Sequence, residues 1–300
     1  MNTRLIVGIL LIACVSATAQ ETYTKLSEDP SEAIKGHVGI ELYGVDAGFK
    51  NISGSMLFTV GVTARYPLVS NKIMAEGIAR FPLIRFEKKG FAFLADAGIL
   101  YTLNSNDAPD DVKVILGYKE VDNFGSNTRT AITKYVNING TVRKNTYARA
   151  GVYLRNSAFD DTSENMIDYY VTNIFHKGVY LGLGRERQYY FQLQRNRDNN
   201  PAKFGAGSIF MLYADVMILP VNVDLVQDTF GMGAGATKEL NGLLGGRIGF
   251  KWYRNPFTRA QNFDRKIPFF GNSFFTMEAG VRPLEGLFVT GGFTYIIHKF

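Results

Sequence analysis

The sequence predicts an all-β fold, a transmembrane antiparallel up-and-down β-barrel of about fourteen strands, with twelve to sixteen also compatible with the pattern. Two observations predict it. Apolar and polar residues alternate in long runs from residue 37 to the end of the chain, which is typical of strands with one apolar face. The runs last about 10–13 residues, longer than the usual soluble strand of about 5–6 and suited to a tilted membrane-spanning strand of about 9–11.

The alternating runs supply the strands in chain order. In one of them Phe58, Val60 and Val62 alternate with small or polar residues, and turn-forming residues separate one run from the next. The segment 166–175 can be either a further strand or part of a loop. The predicted strands are 37–47, 55–67, 72–82, 90–102, 112–121, 130–142, 146–155, 178–184, 188–196, 206–218, 221–229, 243–254, 273–282 and 286–299.

Composition excludes several classes of protein. With 46% hydrophobic residues and a formal net charge of only +6, the chain is not expected to be disordered. Beyond residue 19 there is no apolar run of about 18 residues, so an ordinary membrane-spanning helix is not expected. The single cysteine, Cys14, lies in a predicted leader, so neither a disulfide framework nor a thiolate metal site is expected.

The N-terminus has the pattern of a secretory signal peptide over residues 1–19. Arg4 precedes a short apolar run, and Ala-Thr-Ala at 17–19 gives a cleavage site before Gln20. The alternative is a bacterial lipobox, in which Cys14 would be lipidated and become the first residue.

The remaining chain divides into two parts. Residues 20–36 are expected to form a short, polar, periplasmic N-terminal tail. Residues 37–300 contain all the alternating runs and are expected to form the barrel, and no second domain is predicted.

The mature chain resembles the outer-membrane β-barrel proteins of Gram-negative bacteria in its leader, its amphipathic strands and its lack of further cysteines. Its last predicted strand ends on an aromatic residue, Phe300, as in that family. The resemblance implies contact with outer-membrane lipids and lipopolysaccharide, and insertion by the barrel-assembly machinery with Phe300 as the membrane-assembly signal. Gln20 at the mature N-terminus is similar to exported proteins of the Bacteroidota. The resemblance names no subfamily.

The chain departs from that family's pattern in two places. Thr294 and His298 share a face with Phe300, whereas the stronger apolar series of this strand has the opposite parity; a bulge near His298 would reconcile them. With both termini in the periplasm, the long segment 255–272 would be periplasmic and the tight turn at Pro283 extracellular. Barrels usually show short periplasmic turns and long outer loops, so either the strand count differs or 255–272 is a periplasmic plug or docking element.

Charged residues occupy the second face of the predicted strands and would point into the barrel. Aromatic residues near the strand ends match the girdles found where such barrels cross the membrane–water boundary. The inward charges are candidates for the lining of a pore. These candidates are Arg65, Arg80, Arg149, Arg247, Lys251 and Glu278.

The sequence carries little sign of catalytic or cofactor chemistry. The three histidines, His37, His176 and His298, lack the serine spacing that outer-membrane acyl hydrolases would supply. The glycine-rich segment 231–238 has its lysine after the threonine, whereas a phosphate-binding loop has it before. No spacing suggests a metal site, no cofactor is expected, and nucleic acid is not an expected partner of an exported protein.

We therefore expect an integral outer-membrane barrel that acts as a pore, or as a scaffold or accessory subunit of a larger envelope assembly. Two alternatives stay open. An outer-membrane lipid hydrolase would need a serine and a histidine within hydrogen-bond reach. A lipid-anchored or soluble periplasmic β-protein would carry a modified Cys14 or need no detergent. Enzymatic activity is the less expected outcome.

Overall fold

A computed structural model of the chain describes residues 22–33, 36–48, 57–69, 72–84, 92–122, 129–158, 170–196, 202–229, 232–240, 244–255 and 273–299. The predicted leader with Cys14, most of the segment 255–272, and Phe300 lie outside these residues. A short 3-10 helix spans Pro30–Glu32. The strands are β1 (Thr22–Glu28), β2 (His37–Gly48), β3 (Leu57–Val69), β4 (Ile73–Ile84), β5 (Phe93–Asp122), β6 (Arg129–Ala158), β7 (Tyr170–Asn196), β8 (Ala202–Ile218), β9 (Val221–Thr229), β10 (Met232–Leu240), β11 (Leu244–Asn255), β12 (Ser273–Arg282) and β13 (Gly286–Lys299).

Ten of these strands close into an antiparallel barrel. Each of the strands β2 to β7 pairs with the next along the chain; β8 pairs with β11, and the ring continues through β12 and β13. Pairing of β13 with β2 closes it, with Phe288 opposite Gly48 and Lys299 opposite His37. Closure leaves no unpaired strand edge within the ring. The prediction of an all-β antiparallel barrel is therefore confirmed.

The predicted number of about fourteen strands is wrong for the barrel, because three pairs of predicted strands are single long strands. The segments 103–111, 143–145 and 185–187 separate predicted strands, but they lie within β5, β6 and β7. In addition, β9 continues β8 in the same direction beyond Leu219 and Pro220, since both pair with β7. Polar residues occur in these strands for two reasons. Residues 103–111 lie beyond the part of β5 that pairs with β4, whereas Asn145 and Glu186 are buried, with Glu186 paired to Arg65 of β3.

The strand extensions give the two ends of the barrel different structures. At one end, β9 and β10 form a hairpin outside the ring. At the other end, where β2 begins and β13 ends, β5 and β6 continue beyond Tyr101, the residue opposite the start of β4. We call residues 103–122 and 129–142 the arm, and we call the end that carries it the terminal end, because both ends of the barrel sequence lie there.

The segment predicted to be a polar tail contributes ordered structure at the terminal end. Within it, β1 pairs with the last part of β7, from Thr22 opposite Asn196 to Glu28 opposite Phe191. Lys25 Nζ donates to the carbonyl of Asn139 at 3.1 Å, which links β1 to the arm. The arm is also held by a buried apolar cluster of Val112, Val142, Phe191 and Leu193.

The two unusual features of the sequence are both explained by this topology. β11 ends and β12 begins at the terminal end, which places the flanks of 255–272 on the same side as the termini, while the turn at Pro283 lies at the opposite end. The pairing of β13 with β2 shifts register between Ile296 and His298. The bulge predicted near His298 is therefore present, and Ile297 and His298 are both exposed.

In this barrel charged side chains face inward and large apolar side chains face outward, which is the reverse of a soluble globular protein. Along β8 the residues from Met211 to Ile218 alternate strictly between buried and exposed. The exposed members include Leu212 and Val216, which are 53% and 63% exposed, whereas Asp215 is buried at 4%. Large apolar side chains thus cover the outside, and charged side chains are packed inside.

Candidate functional site: the charged interior

The barrel interior is filled by a network of ion pairs that joins strands across the lumen. Within the described residues, seven cationic and eight carboxylate side chains take part in it. The cations are Arg65, Arg80, Arg149, Arg155, Arg247, Lys251 and Arg282, and the carboxylates are Glu41, Asp46, Glu76, Asp96, Glu186, Asp215, Glu278 and Glu285.

The end opposite the arm is closed by a four-member cluster. Asp46 on β2 accepts from Arg155 on β6 and from Arg282 on β12, both at 2.6 Å. Glu285, in the turn between β12 and β13, pairs with the same two arginines. Thr290 donates to Asp46 at 2.7 Å. Because β2 and β6 lie four places apart in the ring, this cluster bridges the lumen.

The turn that carries Glu285 is held inward by backbone conformation and by a histidine. Leu284 and Gly286 have φ angles of 66° and 74°, a region that L-residues other than glycine rarely adopt. The Nε2 atom of His176 lies 2.8 Å from the carbonyl oxygen of Pro283. Since His176 and Glu285 are both buried, the turn forms a lid over this end of the lumen.

The middle of the lumen is crossed by the side chain of Arg247 from β11. It pairs with Asp215 on the neighbouring β8 at 2.8 Å and also with Asp96 on β5, four places away in the ring. Tyr180 donates to Asp96 at 2.9 Å, and its ring lies 4.5 Å from the guanidinium of Arg247. Tyr213 donates to Glu278, the third carboxylate paired with Arg247.

Two further ion pairs share Glu76 on β4. Lys251 on β11 pairs with Glu76 on β4 at 2.7 Å, and these strands face each other across the full width of the ring. Arg149 on β6 joins the same Glu76 at 2.9 Å, and its guanidinium lies 3.7 Å from the ring of Tyr213. Charges and aromatic rings are therefore stacked together, which provides both Coulomb and cation–π attraction.

Glycines make room for one of these rings. Gly98 on β5 pairs with Gly151 on β6, which in turn pairs with Tyr180 on β7. A Cβ atom at either glycine would collide with the Tyr180 side chain. The absence of side chains on two adjacent strands thus allows Tyr180 to lie flat against the inner wall and reach Asp96.

Nearer the terminal end, Arg65 on β3 pairs with Glu186 on β7 at 2.8 Å, four places across the ring. Tyr147 also donates to Glu186 at 2.8 Å. Beyond this pair, His37 packs edge-on against Tyr253 and Phe274, with ring centroids about 5 Å apart.

The N-terminal segment completes this closure. Ala33, which directly follows the 3-10 helix, is 4% exposed and belongs to the same apolar cluster as Tyr253 and Phe274. The backbone N–H of Asp29 donates to the carbonyl of Tyr190 at 3.3 Å. One end of the lumen is thus covered by the turn between β12 and β13, and the other end by the N-terminal segment that precedes β2.

All six residues predicted to line a pore point into the barrel, and every one of them belongs to the ion-pair network. Arg80 forms a two-point contact with Glu41 at 2.7 and 2.8 Å, and the other five were described above. The structure therefore brings the predicted residues together, and their role as the lining of a conducting path stays a prediction. Phe300 lies outside the described residues.

As site residues the sequence reasoning proposed five of the seven cations, without Arg155 and Arg282, and one of the eight carboxylates, Glu278. Glu41, Asp46, Glu186, Asp215 and Glu285 were not proposed as site residues. A signal was present for Asp215, because it shares the inward parity of Met211, Tyr213 and Met217 and is the only charged residue in its predicted strand. For Glu186 and Glu285 the signal was misleading, since both stand in segments with the composition of turns.

The described residues hold no group of three or more metal-ligating side chains. They also contain no helix of the length and apolar character that a bilayer crossing requires. His176 is engaged with a backbone carbonyl and His37 with aromatic rings. What the interior provides chemically is a set of fixed, mutually neutralised charges.

The chain matches no known protein family. No curated protein matches it at a significant level either. The arrangement of its residues is therefore the basis for a functional proposal.

Removing one member of the lumen network should lower the free energy of unfolding far more than removing one member of an exposed ion pair. We expect Asp46→Asn to lower the free energy of unfolding by about 3–5 kcal/mol, because Arg155 and Arg282 would both lose one of the two buried carboxylates that they share. The matched control is Asp107→Asn in the arm, where an exposed pair with Arg143 contributes about 0–1 kcal/mol. Urea unfolding of the refolded chains, followed by tryptophan fluorescence, measures both. Equal losses would show that the network does not support the barrel.

Proposed function

We propose that the protein is an outer-membrane β-barrel with a sealed lumen, which serves as a scaffold or accessory subunit of an envelope assembly. Membrane insertion is supported by the outer surface of the ring. Exposed large apolar side chains occur on strands all around it, among them Val62, Leu181, Leu212 and Ile248, which are 50–67% exposed. Exposing such a surface to water would cost about 25 cal/mol per Å² of apolar area. In lipid, an apolar surface is the expected exterior of a barrel.

The ion pairs that cross the lumen are the main support for a sealed barrel. Three successive layers of side chains, centred on Arg65, Arg247 and Arg155, each reach a carboxylate on the far side of the ring. An open pore needs a continuous water-filled path, and side chains that touch across the lumen leave none at these levels. A ten-stranded ring is only slightly wider than the eight-stranded barrels whose interiors side chains just fill.

The scaffold role is supported by the arm. Beyond Thr102, β5 has no strand beside it other than β6 within the described residues. A ribbon that projects from the barrel with a strand edge available is a common means of binding an extended partner segment. If both termini are periplasmic, as in the family that the sequence resembles, the arm projects into the periplasm together with β1.

The remaining parts of the proposal follow from the resemblance. Outer-membrane lipids and lipopolysaccharide would surround the apolar exterior. The barrel-assembly machinery would insert the chain, with Phe300 as its signal, and Gln20 suggests a source among the Bacteroidota.

Membrane insertion predicts that an arginine is tolerated on the arm but not on the outside of the ring. We expect Ile248→Arg to cost about 2–4 kcal/mol in a lipid bilayer, because the charge would face hydrocarbon near mid-strand. Tyr135→Arg, at a similarly exposed position on the arm, should have little effect. Folding into lipid vesicles, measured as the shift between folded and unfolded bands on cold gel electrophoresis, distinguishes them. A soluble barrel would tolerate both changes alike.

If the lumen is sealed, the protein should conduct no ions across a bilayer. The purified full chain, reconstituted in planar bilayers, should show no discrete conductance steps under conditions in which a water-filled porin added to the same bilayer conducts. Stable, ion-selective openings by the folded chain would favour a pore, with the six predicted residues as its lining.

A scaffold role predicts that partners bind through the arm. We expect proteins that copurify with the chain from native membranes in mild detergent to be lost when residues 111–139 are replaced by an Asn-Gly turn between the paired Asp110 and Gly140. Lys144→Gln, at the same end of the barrel, is the matched control and should retain them. The same partners on the shortened chain, or none on the intact one, would contradict the role of the arm.

A further inference from the structure

A cavity of about 370 Å³ lies at the terminal end, between the inner ion pairs and the base of the arm. Its walls come from six places in the chain, namely the N-terminal segment, β3, the start of β4 with the turn before it, the start of the arm, β6 and β7. Most of its lining residues have polar side chains, and Ala33, Met74 and Tyr147 join it to two of the buried apolar clusters. The polar lining residues used below are Ser31, Arg65, Lys72, Arg143, Asn145 and Glu186.

The charges around the cavity do not balance. Arg65 is paired with Glu186, and Arg143 is paired with Asp107 at 2.7 Å. Lys72 also lines the cavity and makes no ion pair within the described residues. The lining thus holds three cationic side chains, Arg65, Lys72 and Arg143, and one carboxylate, Glu186, which favours a negatively charged ligand.

The inner wall has the features of a preformed site. The Arg65 side chain is only 3% exposed, and its Nε atom has no hydrogen-bond partner. Such a buried donor usually has a partner, because leaving it unsatisfied costs about 1–3 kcal/mol. Asn145, also buried, donates to Tyr147 at 2.9 Å and so has a fixed orientation.

We propose that this cavity binds a small polar molecule with one anionic group, of the size of an acidic sugar. The anionic group would lie beside Lys72 and the side chain of Arg65. The body of the molecule would receive hydrogen bonds from the neighbouring hydroxyl and amide groups, among them Ser31. A volume of about 370 Å³ is within the about 300–1,000 Å³ typical of small-molecule sites.

The N-terminal segment would be part of this site. Ser31 lines the cavity while Ala33, two residues on, is anchored in the apolar cluster. An occupant would therefore contact both the N-terminal segment and the barrel. This site depends on the closed ring alone and does not require the membrane or scaffold roles proposed above.

Isothermal titration of the detergent-purified full chain with galacturonate, glucose 6-phosphate and glucose tests the proposal. We expect at least one of the two anionic probes to bind and neutral glucose to bind at least about tenfold more weakly, as expected for a charge-assisted contact. Lys72→Gln should weaken binding of the anion by at least about fivefold. Lys144→Gln removes the same charge at the same end of the barrel, outside the cavity, and should leave the affinity unchanged.

The two anionic probes separate a carboxylate ligand from a phosphate ligand, and binding of either supports the site. As a second variant, Ser105→Trp fills the cavity from its exposed rim and should abolish binding in a folded chain. The proposal is overturned if neither anion binds, if glucose binds as well as they do, or if Lys72→Gln and Lys144→Gln weaken binding equally.

Discussion

The structure depends on pairing every charge that the ring encloses. Two-residue alternation leaves only two faces, and the apolar face is on the outside, so charged side chains must share the interior. Enclosed charges are costly unless each meets an opposite charge and fills its remaining hydrogen-bonding positions. The ion pairs between facing strands supply the opposite charges. They also fix the shape of the barrel, because Arg155 or Arg247 reaches its distant carboxylate only when the ring has this circumference.

Enclosure also accounts for the structure at the two ends. At the end opposite the arm, the turn holding Glu285 folds inward to supply a carboxylate that no strand provides. At the terminal end, the N-terminal segment adds Ala33 to an apolar cluster, and the Arg65–Glu186 pair lies beneath it. Between these closures the interior resembles a solid, cross-linked core more than a channel, which is why a structural role is the better proposal.

The sequence was a good guide where one strand face is apolar and a poor one where strands leave the barrel. It predicted β2, β3, β4, β12 and β13 closely, because alternation continues to their ends. It divided β5, β6 and β7, because Asn, Asp, Lys and Arg in their extensions have the composition of turns. Composition cannot distinguish a turn from a stretch of strand made of polar residues, because neither shows an apolar period.

By itself, the sequence determined that the protein is built from long amphipathic strands, which of their residues face inward, and that Arg65, Arg80, Arg149, Arg247, Lys251 and Glu278 share one face. The alternation of side chains along a strand is a local property, so it can be read from neighbouring residues. Only the tertiary structure decided that ten strands close the ring, that carboxylates as distant as Asp46 and Glu285 neutralise the same arginines, and that an anion-attracting cavity forms at the base of the arm. These features depend on which strands face each other across the lumen, and ring closure sets that over separations of more than a hundred residues.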